Sequence, residues 1–543
     1  MRSTAKLGDI HIALLLACAT AILLTVTAPA IGLTWDEPAY IAGADSIAAW
    51  FGVLIKSPGQ AFQSETIDQY WIINHEHPPV QKIWSGWVWS AAQHFLDELT
   101  ASRLGVMLMV SFLVALLYLL VAKMYGRAAG LFAAAALLSM PRFFFHSHLA
   151  ALDVPVAVGA FAVTFLFWKT IDRKQWWWGI LLGIAWGLVV ATKLNGVFIP
   201  IALVTWVLVF RRQWRMVFRL FLMGIFAILT FFAVWPWLYH QPWMRVLEYI
   251  NFHIHHVEIG QWYFGQFYLP PPWHFVPVIL WAVLPLTVLL LSLIGMAQAG
   301  RGRRDQGLAW LMIISVLVSI APFLFEKSLL YDNDRLFMPV YPFLAALAGI
   351  GFGWILAGLR KLMGRIKRPI WNTLASILLA AALLTPQSVA MAGLYPHLLS
   401  YYSEGVGGLR GATRLGLETT YWCETYAAAL PYLNEHAKPG DLIWVEPWSF
   451  DVLLYYQMIG RLRPDVKVMN PDFAQSVFGP YTHNRPVIGD FRYADWYIFQ
   501  YRQTQFGTAG ENYYPLMVLE SQQPVFEVEY QGIPLMRLYG KLK

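Results

Sequence analysis

Charged residues are scarce in this chain, since Asp, Glu, Lys and Arg make up 13% of its 543 residues. Soluble domains carry about 25%. This low charge excludes a water-soluble enzyme, a disordered chain and a fibrous protein. Cysteine is scarcer still, because Cys18 and Cys423 are the only two and stand in unrelated segments. A disulfide framework, a Cys-X-X-Cys motif and a cysteine zinc site are therefore excluded as well.

Apolar residues are abundant in their place, at 58% of the chain, and they form long runs without charge. A spanning helix needs about 20 mostly apolar residues, so the runs predict a polytopic α-helical membrane protein with about 11 transmembrane helices. The first run also has the basic start of a signal peptide, but its length favours a retained helix. The runs are Ile10–Trp35, Leu104–Ala122, Ala128–Pro141, Val154–Trp168, Gln175–Thr192, Leu194–Phe210, Leu220–Met244, Ile259–Gly300, Gly307–Phe325, Leu336–Leu359 and Pro369–Ser403.

The few charges are distributed unevenly between alternate loops. With the N-terminus placed inside, the inner loops hold 19 basic and three acidic residues, whereas the outer loops before residue 394 hold 8 basic and 14 acidic ones. Basic loops face the cytoplasm, so the pattern predicts a cell-membrane protein with a cytoplasmic N-terminus and an outer C-terminus. The net charge of +7 therefore reflects topology and gives no reason to expect a nucleic-acid partner.

The last part of the chain differs in kind from the rest. Residues 394–543 contain 15 acidic and 12 basic residues and have ordinary polarity. Short apolar runs alternate with turn signals there, which predicts strands near 442–445, 466–468, 496–499 and 525–530 and a helix over 449–458. We therefore divide the chain into a transmembrane domain, 1–393, and an extracytoplasmic soluble α/β domain, 394–543.

The first outer loop, residues 33–100, contains the most informative polar residues. Asp36 and Glu37 stand at the outer end of the first span, where a carboxylate pair is costly to desolvate. Such acids are functional candidates by default. A plainer interpretation makes them solvated residues before Pro38, but the long surface loop that follows favours function. The loop later contains the sequence His75-Glu76-His77-Pro78-Pro79.

An acidic pair after the first span and a later His-Pro-Pro element resemble the GT-C superfamily of integral-membrane glycosyltransferases. The closest likeness is to the protein O-mannosyltransferase-like group, family 39 and its bacterial relatives. Further segments in the same order and on the same predicted face are similar to that family. They are Pro141-Arg142-Phe143, Leu152-Asp153-Val154-Pro155, Lys193-Leu194-Asn195-Gly196, the run from Asp334-Arg335 to Pro342, and the run from Tyr395 to Gly408.

The resemblance implies sugar transfer from a polyprenyl-phosphate-linked donor to an acceptor hydroxyl of a protein, lipid or glycan on the extracytoplasmic face. The acceptor needs a base, and the family's catalytic acid falls on Asp36. Glu37 is expected to orient or assist it, and Asp153 is the candidate second carboxylate. Asp153 is equally well interpreted as the N-cap of the fourth predicted span.

Cations are expected to hold the leaving phosphate. Arg335 is the first candidate, Lys193 the second and Arg142 a weaker third, although each is also explained by contact with lipid headgroups. His75, Glu76 and His77 are expected to hydrogen-bond sugar or acceptor. A divalent metal is an alternative there, but an extended chain turns His75 and His77 to opposite sides, so no metal site is predicted.

Two other classes of function remain as alternatives. A transporter or flippase of a lipid-linked or anionic substrate usually has broken spans and charges near the membrane midplane. The charges here gather at one surface, which argues against transport. A non-catalytic scaffold would have no need of the acidic pair.

Overall fold

The computed structural model describes residues 7–255, 259–299, 306–325, 328, 330–362, 369–470, 487–505 and 518–542. Helices dominate the first three quarters of the chain. They are α1 Leu7–Thr27, α2 Glu37–Lys56, α3 Pro58–Ala61, α4 Ser64–Trp71, α5 Val80–Ala92, α6 Glu98–Tyr125, α7 Arg127–Leu138, α8 Pro141–His146, α9 Asp153–Thr170, α10 Trp178–Val190, α11 Ile199–Phe210, α12 Trp214–Ala233, α13 Pro242–Ile254, α14 Phe275–Val283, α15 Leu286–Gln298, α16 Gln306–Ile320, α17 Val340–Leu362 and α18 Pro369–Leu394. Later elements are α19 Gly408–Arg414, α20 Leu430–His436 and α21 Phe450–Met458, with strands β1 Gln261–Tyr263, β2 Gln266–Tyr268, β3 Leu442–Glu446, β4 Lys467–Asn470, β5 Val487–Ile488, β6 Trp496–Gln500, β7 Phe526–Tyr530 and β8 Ile533–Tyr539.

The predicted polytopic helical fold is confirmed. Within the described ranges, eight helices are long and apolar enough to cross a membrane, and seven of them coincide with predicted runs. Three further runs form shorter apolar helices: Arg127–Leu138, Trp178–Val190 and Leu194–Phe210. The run Ile259–Gly300 is more complex than one straight span, because it holds the β1–β2 hairpin and then α14 and α15, which meet at 117°. Pro285 follows the extended residue Leu284 at this bend, as expected where a proline stops a helix.

Helix α2 is the eighth long apolar helix, and the sequence did not predict it as a span. It packs against the short helices α3, α4 and α5. Ser46 Oγ donates to the carbonyl of Tyr70 at 2.8 Å, and Trp50 Nε1 donates to that of Ala61 at 2.8 Å. Both partners belong to the segment between the first two predicted spans, so α2 belongs to the surface layer at that end of the bundle.

The opposite end of the bundle carries the basic loops. Arg127 Nε donates to Asp9 Oδ1 at 2.6 Å, joining the starts of α7 and α1. Arg219 Nη1 donates to the carbonyl of Thr170 at 3.1 Å, joining α12 to the end of α9. We call this the basic end, and the other, which contacts residues 394–542, the domain end.

A six-stranded mixed sheet forms the centre of the C-terminal part, in the order β5-β4-β3-β6-β8-β7. Strands β5, β4, β3 and β6 are parallel, and β8 runs antiparallel to β6 and β7. Alternate residues face opposite sides, so Ile443 and Val445 pack with α21 while Trp444 packs with Phe491. The predicted α/β character is confirmed. The boundary at residue 393 stays a prediction, because the main core continues through Leu398, Tyr421 and Trp422.

Candidate active site

Arg335 is the centre of a charged cluster at the domain end of the bundle. It begins a short 3-10 turn before α17, and only 5% of its side chain is exposed. Its Nη2 lies 2.6 Å from Asp36 Oδ2, its Nε 3.1 Å from Asp153 Oδ2 and its Nη1 2.7 Å from Asp332 Oδ2. The guanidinium also lies over the Trp422 ring, 4.2 Å from its centroid. Three carboxylates therefore surround one planar cation.

Lys193 extends the cluster from the connection between α10 and α11. Its Nζ donates to Asp153 Oδ1, so Asp153 bridges Lys193 and Arg335. Asp153 begins α9, where the positive helix terminus also favours a carboxylate. Burial lowers the pKa of Lys193 more than Asp153 raises it. The Lys193 side chain is 14% exposed and pairs with one carboxylate among the described residues, which leaves N–H groups for a ligand.

Exposure distinguishes the three carboxylates on Arg335. The side chain of Asp36 is 30% exposed, that of Asp332 9% and that of Asp153 2%. Asp36 is thus the carboxylate of this set that a substrate can reach. Burial raises the pKa of Asp36, and Asp332 and Asp153 add to the rise, while Arg335 opposes it. A raised pKa brings a carboxylate closer to that of an effective general base.

Local structure fixes where Asp36 points. Pro38 stands in the first turn of α2, a position that favours helix initiation at this point. The backbone N–H of Trp35 donates to the carbonyl of Trp422 at 3.1 Å. Trp422 belongs to the C-terminal part of the chain and also lies against Arg335, so one residue contacts both Arg335 and the residue just before Asp36.

Glu37 lies outside this cluster, although it is the neighbour of Asp36. Successive residues at a helix start point about 100° apart. Glu37 therefore turns into the bundle, where Arg103 Nε and Nη2 donate to it at 2.8 and 2.6 Å. The N–H groups of Thr34 and Ala150 and the hydroxyl of Thr34 also donate to Glu37. Both members of this ion pair are fully buried, so Glu37 holds the loop around Asp36 against the interior of the helix bundle.

Arg142 is close to the cluster but enclosed. Its Nη1 lies 2.7 Å from Asp334 Oδ1, and its guanidinium lies over the Tyr402 ring at 4.7 Å. Only 1% of its side chain is exposed, and its Nη2 has no hydrogen-bond partner. A substrate would reach Arg142 only after Tyr402 moved.

His75, Glu76 and His77 lie apart from the ion pairs of Arg335. His75 Nε2 lies 3.0 Å from Glu248 Oε1, and Glu76 accepts from the side-chain amide of Asn74 at 2.9 Å. The ring of His77 instead faces that of Tyr40, with centroids 5.6 Å apart. Burial lowers the pKa of His77 well below its ordinary value, and nearby cations, Lys82 first, lower it further. No three His, Cys, Asp or Glu residues among those described are grouped to hold a metal ion.

The structure thus brings Asp36, Asp153, Lys193 and Arg335 together from four separate segments. Sequence reasoning missed Asp332, which completes the set of carboxylates on Arg335, and Arg103, the partner of Glu37. Arg103 had a signal, because it is an isolated charge in the first turns of a strongly apolar helix. Asp332 stands three residues before Arg335, a spacing at which side chains meet on a helical turn.

Comparison with known proteins supports the expected resemblance. A family model described as dolichyl-phosphate-mannose-protein mannosyltransferase matches residues 76–240, which include His77, Asp153 and Lys193 but neither Asp36 nor Arg335. No curated protein matches the chain.

Solved structures give the fold. ArnT from Cupriavidus metallidurans bound to undecaprenyl phosphate aligns with a TM-score of 0.53 and 18% identity over 96% of this chain and 97% of that one. Its apo state aligns with a TM-score of 0.51 over the same shares. The oligosaccharyltransferase AglB from Archaeoglobus fulgidus, in complex with an inhibitory peptide and a dolichol-phosphate, aligns with a TM-score of 0.43 and 10% identity over 89% of this chain and 69% of that one. The chain therefore has the fold of ArnT, and the expected resemblance to the protein mannosyltransferase group is confirmed over residues 76–240.

Proposed function

We propose that the protein is a glycosyltransferase that moves a sugar from a polyprenyl-phosphate carrier to an acceptor hydroxyl, with Asp36 as the general base. One observation carries this proposal. Of the three carboxylates on Arg335, Asp36 is the one that is substantially exposed, while Asp153 and Asp332 are buried. A base must reach the proton that it removes, and buried carboxylates paired with cations hold charge instead.

Lys193 and Arg335 are suited to the leaving phosphate. Lys193 has unused N–H donors, whereas each nitrogen of Arg335 already faces a carboxylate. A donor phosphate at Arg335 would thus compete with Asp36, the most exposed of its partners. The donor phosphate is a diester with one negative charge, as on a carboxylate, and it gains a second charge as the sugar leaves; guanidinium binds such oxygens strongly and can hold two of them at once. Arrival of the phosphate frees Asp36 from the ion pair, and the freed carboxylate is a stronger base because Arg335 no longer lowers its pKa.

An apolar cavity of about 30 Å³ lies between the helices near this cluster; it has room for about one water molecule, so it marks where the prenyl chain of the donor would enter only if the helices moved apart. Residues of α9, α11, α16 and α17 line it, and Asn195 and Gly196, close to Lys193 in sequence, complete it. A lipid chain there would lie among the spans while its phosphate stayed at the domain end. ArnT, whose fold this chain shares, was solved with undecaprenyl phosphate bound, and that lipid is of the polyprenyl-phosphate class proposed here as the sugar carrier.

The charge pattern supports a site outside the cytoplasm. The cluster lies at the domain end, opposite the basic end of the bundle, and basic loops mark the cytoplasmic side. We therefore place the N-terminus in the cytoplasm, and the cluster and the C-terminal domain on the extracytoplasmic face of the cell membrane. We expect His75, Glu76 and His77 to hydrogen-bond the sugar or the acceptor.

Transfer by the purified protein in lipid nanodiscs tests the proposal. A panel of undecaprenyl phosphosugars, beginning with undecaprenyl phosphomannose, is supplied with hydroxyl acceptors of peptide, lipid and glycan type. Asp36→Asn should lower kcat by about 10²–10⁴, the usual contribution of a general base. Asp68→Asn is the matched control, since Asp68 belongs to the same loop and pairs with Arg245 away from the cluster.

Two results would contradict the proposal. Near-normal turnover by Asp36→Asn would remove Asp36 as the base. Failure of the wild-type protein to transfer any sugar of the panel, with undecaprenyl phosphate moving across vesicles instead, would favour a flippase.

A further inference from the structure

A short polar segment at the end of β6 reaches from the C-terminal domain to the charged cluster. The segment is Gln500-Tyr501-Arg502-Gln503-Thr504. Two of its side chains accept hydrogen bonds from the stretch 419–423, which lies between the last span and the sheet. The backbone N–H of Cys423 donates to Gln500 Oε1 at 3.0 Å, and that of Thr419 donates to Gln503 Oε1 at 2.8 Å. Contacts on both sides of Arg502 thus fix its backbone.

Arg502 places a third cation beside the three carboxylates of the cluster. Its Nη2 donates to Asp332 Oδ1, while Arg335 donates to the other oxygen, Oδ2, of the same carboxylate. Its Nε lies 3.9 Å from Glu418 Oε1, and its guanidinium lies 5.8 Å from the centroid of the Trp35 ring. The side chain is 7% exposed, so this positive charge is held away from bulk water.

Without Arg502, the three carboxylates on Arg335 would outnumber the cations that contact them, and Glu418 would add a further negative charge beside Asp332. Asp36, Asp153 and Asp332 carry three negative charges, and Lys193 and Arg335 carry two positive ones. Breaking one partner from a buried ion pair leaves an uncompensated charge that neighbouring groups must accommodate. Arg335 would then be drawn toward Asp332, away from the position in which it holds Asp36.

We propose that Arg502 is a positioning residue through which the C-terminal domain completes the active site, by neutralising Asp332 and so keeping Arg335 available to Asp36 and the donor phosphate. This inference rests on the proposed function for its catalytic meaning. It assigns a role to a domain whose sequence indicates no activity of its own. Arg502 contacts neither Asp36 nor the space in front of it, so it acts through Asp332 and Arg335.

A second set of bonds holds the same contact in place. Asn333, next to Asp332, donates from Nδ2 to Glu418 Oε2 at 3.1 Å, and its backbone N–H donates to Gln261 Oε1 at 3.0 Å. Glu418 Oε1 also accepts from the backbone N–H of Thr504 at 2.9 Å. The turn that carries Asp332 is therefore clamped to the segment that carries Arg502. Such doubly held contacts are expected where a charge must stay in one place.

The protonation of Asp36 provides a test that requires no substrate. The groups that interact with Asp36 are Arg335 and Lys193 as cations, Asp153 and Asp332 as anions, and Tyr40 and Tyr331 as phenols. Removing the charge of Arg502 leaves Asp332 less neutralised, and a less neutralised anion raises the pKa of a neighbouring carboxyl. We expect Arg502→Gln to raise the pKa of Asp36 by about one pH unit.

The measurement is pH-difference infrared spectroscopy of the full-length protein in nanodiscs, with the Asp36 carboxyl band identified by its loss in Asp36→Asn. Arg502→Lys retains the positive charge, so the pKa of Asp36 in this variant should lie close to its wild-type value. A small rise should remain, because an ammonium cannot span both Asp332 and Glu418. Arg463→Gln is the control, because Arg463 pairs with Asp465 elsewhere in the same domain. In the Arg463→Gln variant, the Asp36 band should titrate as in the wild-type protein.

The transfer assay separates this inference from the proposed function. Arg502→Gln should lose activity at low pH and recover it as the pH rises, since the base is active when deprotonated. A purely structural defect would lower the rate equally at every pH, and an unmoved Asp36 band would overturn the inference. If the wild-type protein transfers no sugar while the band shifts as expected, the proposed function fails and the positioning contact stands.

Discussion

Replacing Glu37 should destabilise the protein, whereas the same change at the adjacent Asp36 should spare its stability. Glu37 accepts hydrogen bonds from five donor groups of Thr34, Arg103 and Ala150, and neither Glu37 nor Arg103 is exposed. In Glu37→Gln an amide NH2 replaces one carboxylate oxygen. The more favourable amide orientation still leaves two donors, Arg103 Nε and the N–H of Ala150, facing that NH2 group.

The structure sets the size of the effect. Each buried donor left without an acceptor costs about 1–3 kcal/mol, and losing one partner of a buried ion pair costs about 3–5 kcal/mol. The two estimates agree for Glu37→Gln. Unfolding gains about 2.1 cal/mol/K of entropy per residue, or about 0.8 kcal/mol/K for a transmembrane domain of residues 1–393, so a loss of about 3–5 kcal/mol should lower the unfolding temperature by about 4–6 °C.

Thermal unfolding in detergent, followed by tryptophan fluorescence, measures this difference. Asp36→Asn is the matched control because Asp36 is 30% exposed and its replacement can still accept from Arg335. Exchanging both Glu37 and Arg103 for Met should restore part of the lost stability, since no charge is then buried alone. A Glu37→Gln protein that unfolds like the wild type but no longer transfers sugar would refute the supporting role and assign Glu37 to the chemistry.

Two further predictions concern the cations and the pH dependence. Lys193→Met should raise the KM for the donor by about 10–100-fold, because one charge-assisted contact of about 1.5–3 kcal/mol is lost. Lys169→Met, at the basic end, should leave this KM unchanged. Equal effects on KM in the two variants would contradict the phosphate role. The rate of transfer by the wild-type protein should rise with pH through the pKa of Asp36, which burial raises above 3.8, because the deprotonated carboxylate is the active form; a rate that falls as the pH rises through the acid range would oppose it.

The sequence was sufficient to predict which segments meet at the site. Asp36, Asp153, Lys193 and Arg335 each stand at the end of an apolar run, and alternating loops place all four ends on one side. Topology alone therefore brings them to the same face of the bundle. The ion pairs that Arg335 makes with Asp36 and Asp153, and the pair of Asp153 with Lys193, depend on how the side chains pack. The sequence spacing of these residues does not predict such pairs.

The parts that could not be predicted depend on long-range pairing. The partners Glu37 and Arg103 are 66 residues apart, and Asp332 and Arg502 are 170 residues apart. Arg502 also stands in a segment of ordinary polarity, where one more arginine carries no information. Helix α2 was missed for a different reason, since Asp45 divides its uncharged residues into two runs, 38–44 and 46–55, that are each too short to span a membrane.

Competition for Arg335 gives the proposed reaction an order. While Asp36 is paired with Arg335 at 2.6 Å, the cation stabilises its charge and makes it a poor proton acceptor. A donor phosphate that takes over Arg335 ends that pairing, so the base becomes effective only when a sugar is in place. An acceptor hydroxyl that arrives first meets a carboxylate that is still paired. The same cation therefore both holds the leaving group and makes activation of the acceptor depend on it, which requires the donor to bind before the base can act.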